Sequence, residues 1–320
     1  MLWYSIRRFN LFIITLLILT IVGFSLLRLD PDSVWLKVGF WHGWMLYLGD
    51  LLHLNFGVSK SGVPIISELA VVFPATLELC IIAFLMSVVI GIPIGTLAGM
   101  KQGKLIDTII SFISMAGYSA PIYWVALLLI MVFSLHFQMF PVSGRYDLLY
   151  QVHHVTGFAL IDSLFVEKQY RAQAFQSVLE HLILPCSVLA LAPTTQVIQL
   201  MRNTVTDVMT KNYIRAARIR GLSIYRIVFQ HVLRNAIPPI VPKLGVQLSS
   251  MLTLAIIAES IFNWPGIGRW LLEALSNQDY VEIQAGVIVV GTLVLGANIL
   301  SDLFGALVNP LVRKEWYANK

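Results

Sequence analysis

Charge is what this sequence has least of. Lys, Arg, Asp and Glu make up 12% of its 320 residues, about half the share in a soluble domain. Hydrophobic residues make up 58%, and the mean hydropathy is +0.79. Lipid rather than water must solvate most of such a chain, so the useful count is of spans rather than of soluble domains. Cysteine is nearly absent. Cys80 and Cys186 fall at or near span ends without metal or C-x-x-C spacing, and read as apolar fillers; a disulfide between span ends is the alternative. Enzyme signatures are missing too. The Gly-Tyr-Ser-Ala-Pro at 117–121 fails the last position of a G-x-S-x-G elbow. There is no H-E-x-x-H, and the adjacent His153–His154 pair lacks ligand spacing, so neither a metal nor a cofactor is expected. Gly103–Lys104 is followed by Leu105 and lacks the upstream glycine of a Walker A loop. Uphill transport by this chain would need energy from another subunit.

Ionisable groups are scarce within the apolar runs as well. Glu78 and Glu259 lie near outer span ends, Asp107 borders a span on the inner side, and Asp302 lies towards the inner end of the last run. None sits at a span centre, which argues against a proton or sodium relay.

What the sequence does have is six long apolar runs, near 9–27, 74–100, 108–135, 182–201, 244–262 and 285–307. Each is near or above the ~20 residues a helix needs to cross the hydrocarbon. The expected fold is an all-α polytopic membrane protein, one domain over 1–320 without a soluble appendage. The start of the fifth run is blurred by Pro238, Pro239 and Pro242. The first run follows Arg7 and Arg8 and is longer than a usual signal peptide core, so it reads as a retained anchor. Gly91, Pro93, Gly95 and Gly99 in the second run, and the stretch at 117–121 in the third, suggest bends or close helix packing, with packing and gating both open. Fifteen of the 22 Lys and Arg residues fall at the N-terminus, at 101–104, at 202–243 and after Leu307. By the positive-inside rule those segments and both termini face the cytoplasm. The two long outward loops, near 28–73 and 136–181, carry interface-type aromatics in FWHGWMLYLGDLLHLNFGVS and an amphipathic GFALIDSLF.

The stretch YIRAARIRGLSIYRIVFQHVLRNAIPP, 213–239, holds five arginines and a histidine with no acid, between two apolar runs. It reads as two short helices meeting at Gly221, with Ser223 capping the second. Ala217 and Gly221, four apart, place small residues on one face and permit close approach of another backbone. Ile224, Ile227, Val228 and His231 form a stripe with Arg226, Gln230 and Arg234 beside it. Three readings compete: a loop resting on anionic lipid, a nucleic-acid patch, and a docking element for a soluble partner. A position at the membrane argues against nucleic acid, and the glycine-broken, small-residue surface favours docking.

This stretch resembles the EAA loop of permease subunits in ABC importers, in the dipeptide, oligopeptide and nickel branch. The matching positions are Tyr213, Ala217, Gly221, Leu222, His231, Asn235 and Ala236, with Arg215 where the loop's naming glutamate would stand. The resemblance extends to ESIFNWPGIGRWLLEALSNQDYVEIQA (259–285), GIPIGTLAG (91–99), SAPIYWVALLL (119–129) and the opening RRFNLFIITLLILTIVGFSL. Within the branch, the RKEWYA tail and the GFALID loop are similar to Sap-type peptide permeases. The resemblance implies the type I importer permease architecture with six spans, and a non-catalytic subunit in the bacterial inner membrane. It implies a heterodimer with a second homologous permease, cytoplasmic ATPase subunits engaged by a coupling loop at about 202–236, and a periplasmic substrate-binding protein. Within the loop it points to Ala217 and Gly221 for close approach, Leu222 for docking, and His231 with Asn235 for orienting the second helix. Peptide is the implied substrate. Putrescine or another polyamine, with export as the open direction, is the alternative, and nickel and haem are remoter. A gradient-driven carrier or channel, and a membrane protein that recruits a cytoplasmic effector without transport, stay open from the residues alone.

Overall fold

A computed structural model of the chain describes residues 2–308, with side chains over 6–301. The RKEWYA tail and the Asp302 side chain lie outside the described residues. Helix α1 (Leu2–Leu27) leads through a 3-10 turn to α2 (Phe40–Leu52) and then α3 (Ile65–Met100). Next come α4 (Leu105–Ser119) and α5 (Ile122–Leu129), which continues as a π-helical turn over Ile130–His136. A one-turn helix, α6 (Ala159–Asp162), precedes α7 (Arg171–Met209). The basic stretch holds α8 (Asn212–Ile219), α9 (Ile224–Ile227), a π turn over Val228–Val232, and α10 (Leu233–Ala236). The chain then forms α11 (Val241–Ile261), α12 (Ile267–Ser276) and α13 (Tyr280–Val308).

The described residues are helical throughout their ordered elements, save one isolated bridge between Val58 and Pro64. Five helices, α1, α3, α7, α11 and α13, are long and apolar enough to cross a membrane; the α4–α5 pair, bent by 102°, makes a sixth if it is one span. The run expected at 108–135 is therefore a broken element. The break has a local cause: Ala120, ahead of Pro121, takes φ −73° and ψ 128°, the extended backbone that a residue before proline favours. Pro242 falls in the first turn of α11, where a missing N–H costs nothing.

Helices α3 and α7 have 36 and 39 residues, about 54 and 58 Å at the usual rise, so both outrun a hydrocarbon layer of ~30 Å. They pair along a glycine seam. A Cβ on Gly91 would lie 2.6 Å from Val197 Cγ1, on Gly95 2.6 Å from the Ile198 carbonyl oxygen, and on Gly99 2.7 Å from the Arg202 carbonyl oxygen. The three glycines are four apart and share one face, so they serve backbone-to-backbone packing. The main core joins Leu79 and Ala83 of α3, Val178 and Leu189 of α7, Met251 and Ala255 of α11, and Trp264.

The first long loop departs from the expectation of an aromatic belt. Trp35, Phe40 and Tyr47 close around the buried Phe24, with Arg28 lying 5.6 Å from the Phe40 ring. Trp41 alone of this loop's tryptophans is strongly exposed, at 65%. Composition marks such rings as interfacial, but here they had a closer partner in the end of α1.

Of the carboxylates singled out in the sequence, Glu78, Asp107 and Glu259 are engaged. Glu78 pairs with Arg145. Glu259 accepts from Thr76 Oγ1 at 2.6 Å and from the Gly268 and Arg269 amides at 2.7 and 3.2 Å, clasped by the first turn of α12. Asp107 accepts from Gly103 N–H at 2.9 Å and from Arg202 Nη2 at 2.8 Å, which fastens α4 to α7 just ahead of the basic stretch.

Candidate functional site

The basic stretch is folded back on the end of α7. Ile214, Ala217, Ile227, Val232, Ala236 and Ile240 are buried with Val197, Met201, Val205 and Val208 of α7. The stretch is a packed element with a fixed outer face.

Its centre is a helix stop of defined geometry. Gly221 has φ +77°, its N–H donates to the Arg218 carbonyl at 3.0 Å, and the Leu222 N–H donates to the Ala217 carbonyl at 3.3 Å. That is a Schellman motif, with glycine at the left-handed position. A Cβ at Gly221 would meet nothing within 4 Å, so the turn requires glycine for its backbone and not for space. Ser223 Oγ then accepts from the Arg226 amide at 3.4 Å and starts α9.

The six residues singled out from the sequence fall into two groups. Ala217 is buried and Leu222 half-buried against α7, and they set the inner packing. Tyr213, Gly221 and Asn235 are exposed and His231 is half-exposed. Asn235 Nδ2 donates to the His231 carbonyl oxygen at 2.7 Å; the pair is tied through the backbone, and the imidazole is left out of that bond. The expected stripe is split as well. Ile227 and Val228 are buried while Ile224 is exposed. The larger apolar exposure was missed: Ile219 is 87%, Tyr225 77% and Phe229 70% accessible. Tyr225 and Phe229 stand four apart, a spacing that a helical reading could have found.

Around these apolar tips stand Arg215, Arg218, Arg220, Arg226 and Arg234, all exposed, with Arg226 Nε donating to Gln230 Oε1 at 3.2 Å. No acidic residue occurs between Asp207 and Glu259, so the stretch carries net positive charge and favours anionic groups. Large apolar side chains ringed by arginine make a surface suited to a partner protein. Nothing on this surface forms a nucleophile with a base, so its chemistry is that of contact.

Comparison with known proteins agrees with this arrangement. Residues 91–314 match the family described as binding-protein-dependent transport system inner membrane component. The chain is 48% identical over 319 residues, 99% of each chain, to the putrescine export system permease protein SapB of Escherichia coli K12. It is equally 48% identical, again over 99% of each chain, to the peptide transport system permease protein SapB of Salmonella typhimurium. Among solved structures, an inward-facing form of the MetNI methionine ABC transporter superposes with a TM-score of 0.53 at 15% identity, covering 73% of this chain and 93% of that one, a likeness of fold. The chain belongs to the binding-protein-dependent transport system inner membrane component family, the permease subunits of ABC transporters.

Proposed function

We propose that this permease, a single transmembrane domain over 1–320, forms half of the passage of an ATP-driven peptide importer in a bacterial inner membrane. A second, homologous permease supplies the other half. Cytoplasmic ATPase subunits attach to the 202–236 loop and hydrolyse ATP, while a periplasmic binding protein delivers substrate to the opposite end. Both termini and the loop face the cytoplasm, in keeping with the placement of lysine and arginine.

The observation that carries the reading is the loop itself: a buried inner face fixed to α7 and an outer face of Ile219, Tyr225 and Phe229 set among arginines. A rigid attachment is what transmits a push, since α7 runs without interruption from Arg171 to Met209. Tyr213 and Asn235 stand on the contact face with His231 at its edge. Ala217, Leu222 and Gly221 act from within by shaping the turn. The buried carboxylates serve as internal fasteners, which disfavours a gradient-driven carrier.

The substrate is read as peptide, after one of the two equally similar relatives. The name of the other, a putrescine export permease, favours a second reading in which a diamine moves outward. The test is reconstitution of the full complex in proteoliposomes with labelled cationic peptide and labelled putrescine, followed in both directions. Inward peptide movement that depends on ATP and on the binding protein is the expected result. Outward putrescine movement without the binding protein would replace the peptide assignment and leave the loop's role intact.

A further inference from the structure

Amide side chains gather along one groove between α7 and α11. Gln196, Gln199 and Asn203, at steps of three and four, share one face of α7; Lys243, Gln247 and Ser250 share one face of α11; all six line the same cleft. Gln247 Nε2 donates to Gln196 Oε1 at 2.9 Å and to the Pro193 carbonyl at 3.4 Å. The Oε1 of the buried Gln247 has no hydrogen-bond partner among the described residues, although Gln247 is only 5% exposed. A buried amide oxygen without a donor is costly, and side chains of this kind are not left facing lipid. The cleft continues past Gln196 and Ser250 to the break between α4 and α5, and at its other end α7 enters the coupling loop.

The lining chemistry selects a ligand class. Amides and a hydroxyl offer donors and acceptors together, as a peptide main chain requires. Among the described residues, the one charged lining residue is Lys243 and no carboxylate lines the cleft, so a dication finds no counter-charge from them while a peptide carboxylate finds an ammonium. We propose that Gln196 and Gln247, with Gln199, Asn203 and Ser250, form a main-chain subsite of the passage that hydrogen-bonds the peptide groups of a substrate in transit. The proposal rests on the peptide reading given above and adds the residues that would hold the peptide.

Two measurements on the full reconstituted complex test it, with labelled tri-alanine as the probe. Replacing both amides (Gln196→Leu with Gln247→Leu) is expected to raise the KM for ATP-driven uptake at least tenfold. Separately, Gln199→Cys and Ser250→Cys are treated with a charged methanethiosulfonate; the native Cys80 and Cys186 are buried and give a low background. Reaction in the assembled complex, slowed by excess tri-alanine, is the expected outcome. A wild-type complex that moves neither tri-alanine nor the labelled cationic peptide overturns the peptide reading and this subsite with it. One that moves the cationic peptide but not tri-alanine overturns the subsite alone, since a main-chain site requires no side-chain charge. A wild-type complex that moves tri-alanine, while the leucine variant keeps its KM and the thiols are inert or unprotected, overturns the subsite alone and makes the strip a seam between subunits.

Discussion

Arg145 and Glu78, 67 residues apart in sequence, meet in a buried pair at the end of the bundle away from the basic loop. The guanidinium donates through Nε at 3.0 Å and Nη2 at 2.5 Å to one carboxylate oxygen. The other oxygen accepts from the Leu160 amide at 2.8 Å, and Arg145 also donates to the Gly157 carbonyl at 2.6 Å. Its guanidinium lies 5.6 Å from the Trp264 ring centre, and Trp264 in turn donates to the Ala75 carbonyl at 3.0 Å. One ion pair thus holds the second long loop and the segment after α11 against α3.

Both partners are nearly inaccessible, at 3% and 2%, so removing either strands a charge. Breaking such a pair costs about 3–5 kcal/mol, whereas replacing both with apolar groups is often neutral. Arg145→Met and Glu78→Met singly should each lower the thermal midpoint of the purified permease in detergent, and the double variant should recover much of the loss. Additive losses would show that the pair contributes no coupling.

The seam between α3 and α7 makes a second expectation. A methyl group on Gly95 would fall 2.6 Å from both the Ile198 carbonyl oxygen and Met201 Cβ, atoms that cannot move without parting the helices. Gly117 looks similar in sequence, but its nearest neighbour to a Cβ is Leu191 Cδ1 at 3.4 Å, the end of a flexible side chain. Gly95→Ala should cost about 1–3 kcal/mol through overpacking, and Gly117→Ala should stay within about 0.5 kcal/mol. Unfolding midpoints for the two variants, measured side by side, decide it. Equal midpoints would mean that the helices adjust freely.

The Gly221 turn separates a backbone requirement from a steric one. The space beside it is open, so side-chain bulk is no obstacle, while φ +77° costs an ordinary L-residue about 1–2 kcal/mol. Asparagine visits that region more readily. Gly221→Asn should therefore keep ATPase attachment and transport close to wild type, and Gly221→Val should weaken both. The ratio of transport rates at equal membrane abundance is the readout. Equal loss in the two variants would place the requirement in contact with the partner and not in the turn.

How much of this was legible depends on the range of the cause. The long apolar runs announce the helices, and the Schellman stop follows from Gly221 and Leu222 because its hydrogen bonds join residues no more than five apart. Pro121 signals a break, but its 102° bend is a property of the packed bundle. The facing of the second loop helix was legible in its middle, where Ile227 and Val228 are buried, and escaped at Ile224, whose exposure depends on what the rest of the bundle leaves uncovered and not on a 3.6-residue period. Arg145 gave no signal at all: nothing local to it indicates a partner on α3. The amide strip stayed hidden for a related reason, since Gln196 and Gln247 are unremarkable singly and acquire meaning only when α7 and α11 lie side by side.

That same split between inner and outer faces supports the most direct test of the loop. Tyr225 and Phe229 are 77% and 70% exposed, so the isolated permease draws little stability from their rings. Ile227, between them in sequence, is 1% exposed and packs on α7. Tyr225→Ser with Phe229→Ser should leave the thermal midpoint within about 0.5 kcal/mol of wild type and yet reduce co-purification of the ATPase subunits at least tenfold. Ile227→Ala should do the reverse in order of cause. It costs about 2–5 kcal/mol of folding stability through a core cavity and loses the ATPase only as the loop loosens. Measuring midpoint and co-purification for both variants separates contact from scaffold. A serine pair that unfolds the protein, or one that retains the ATPase in full, would remove Tyr225 and Phe229 from the docking face and leave the arginines to carry the attachment.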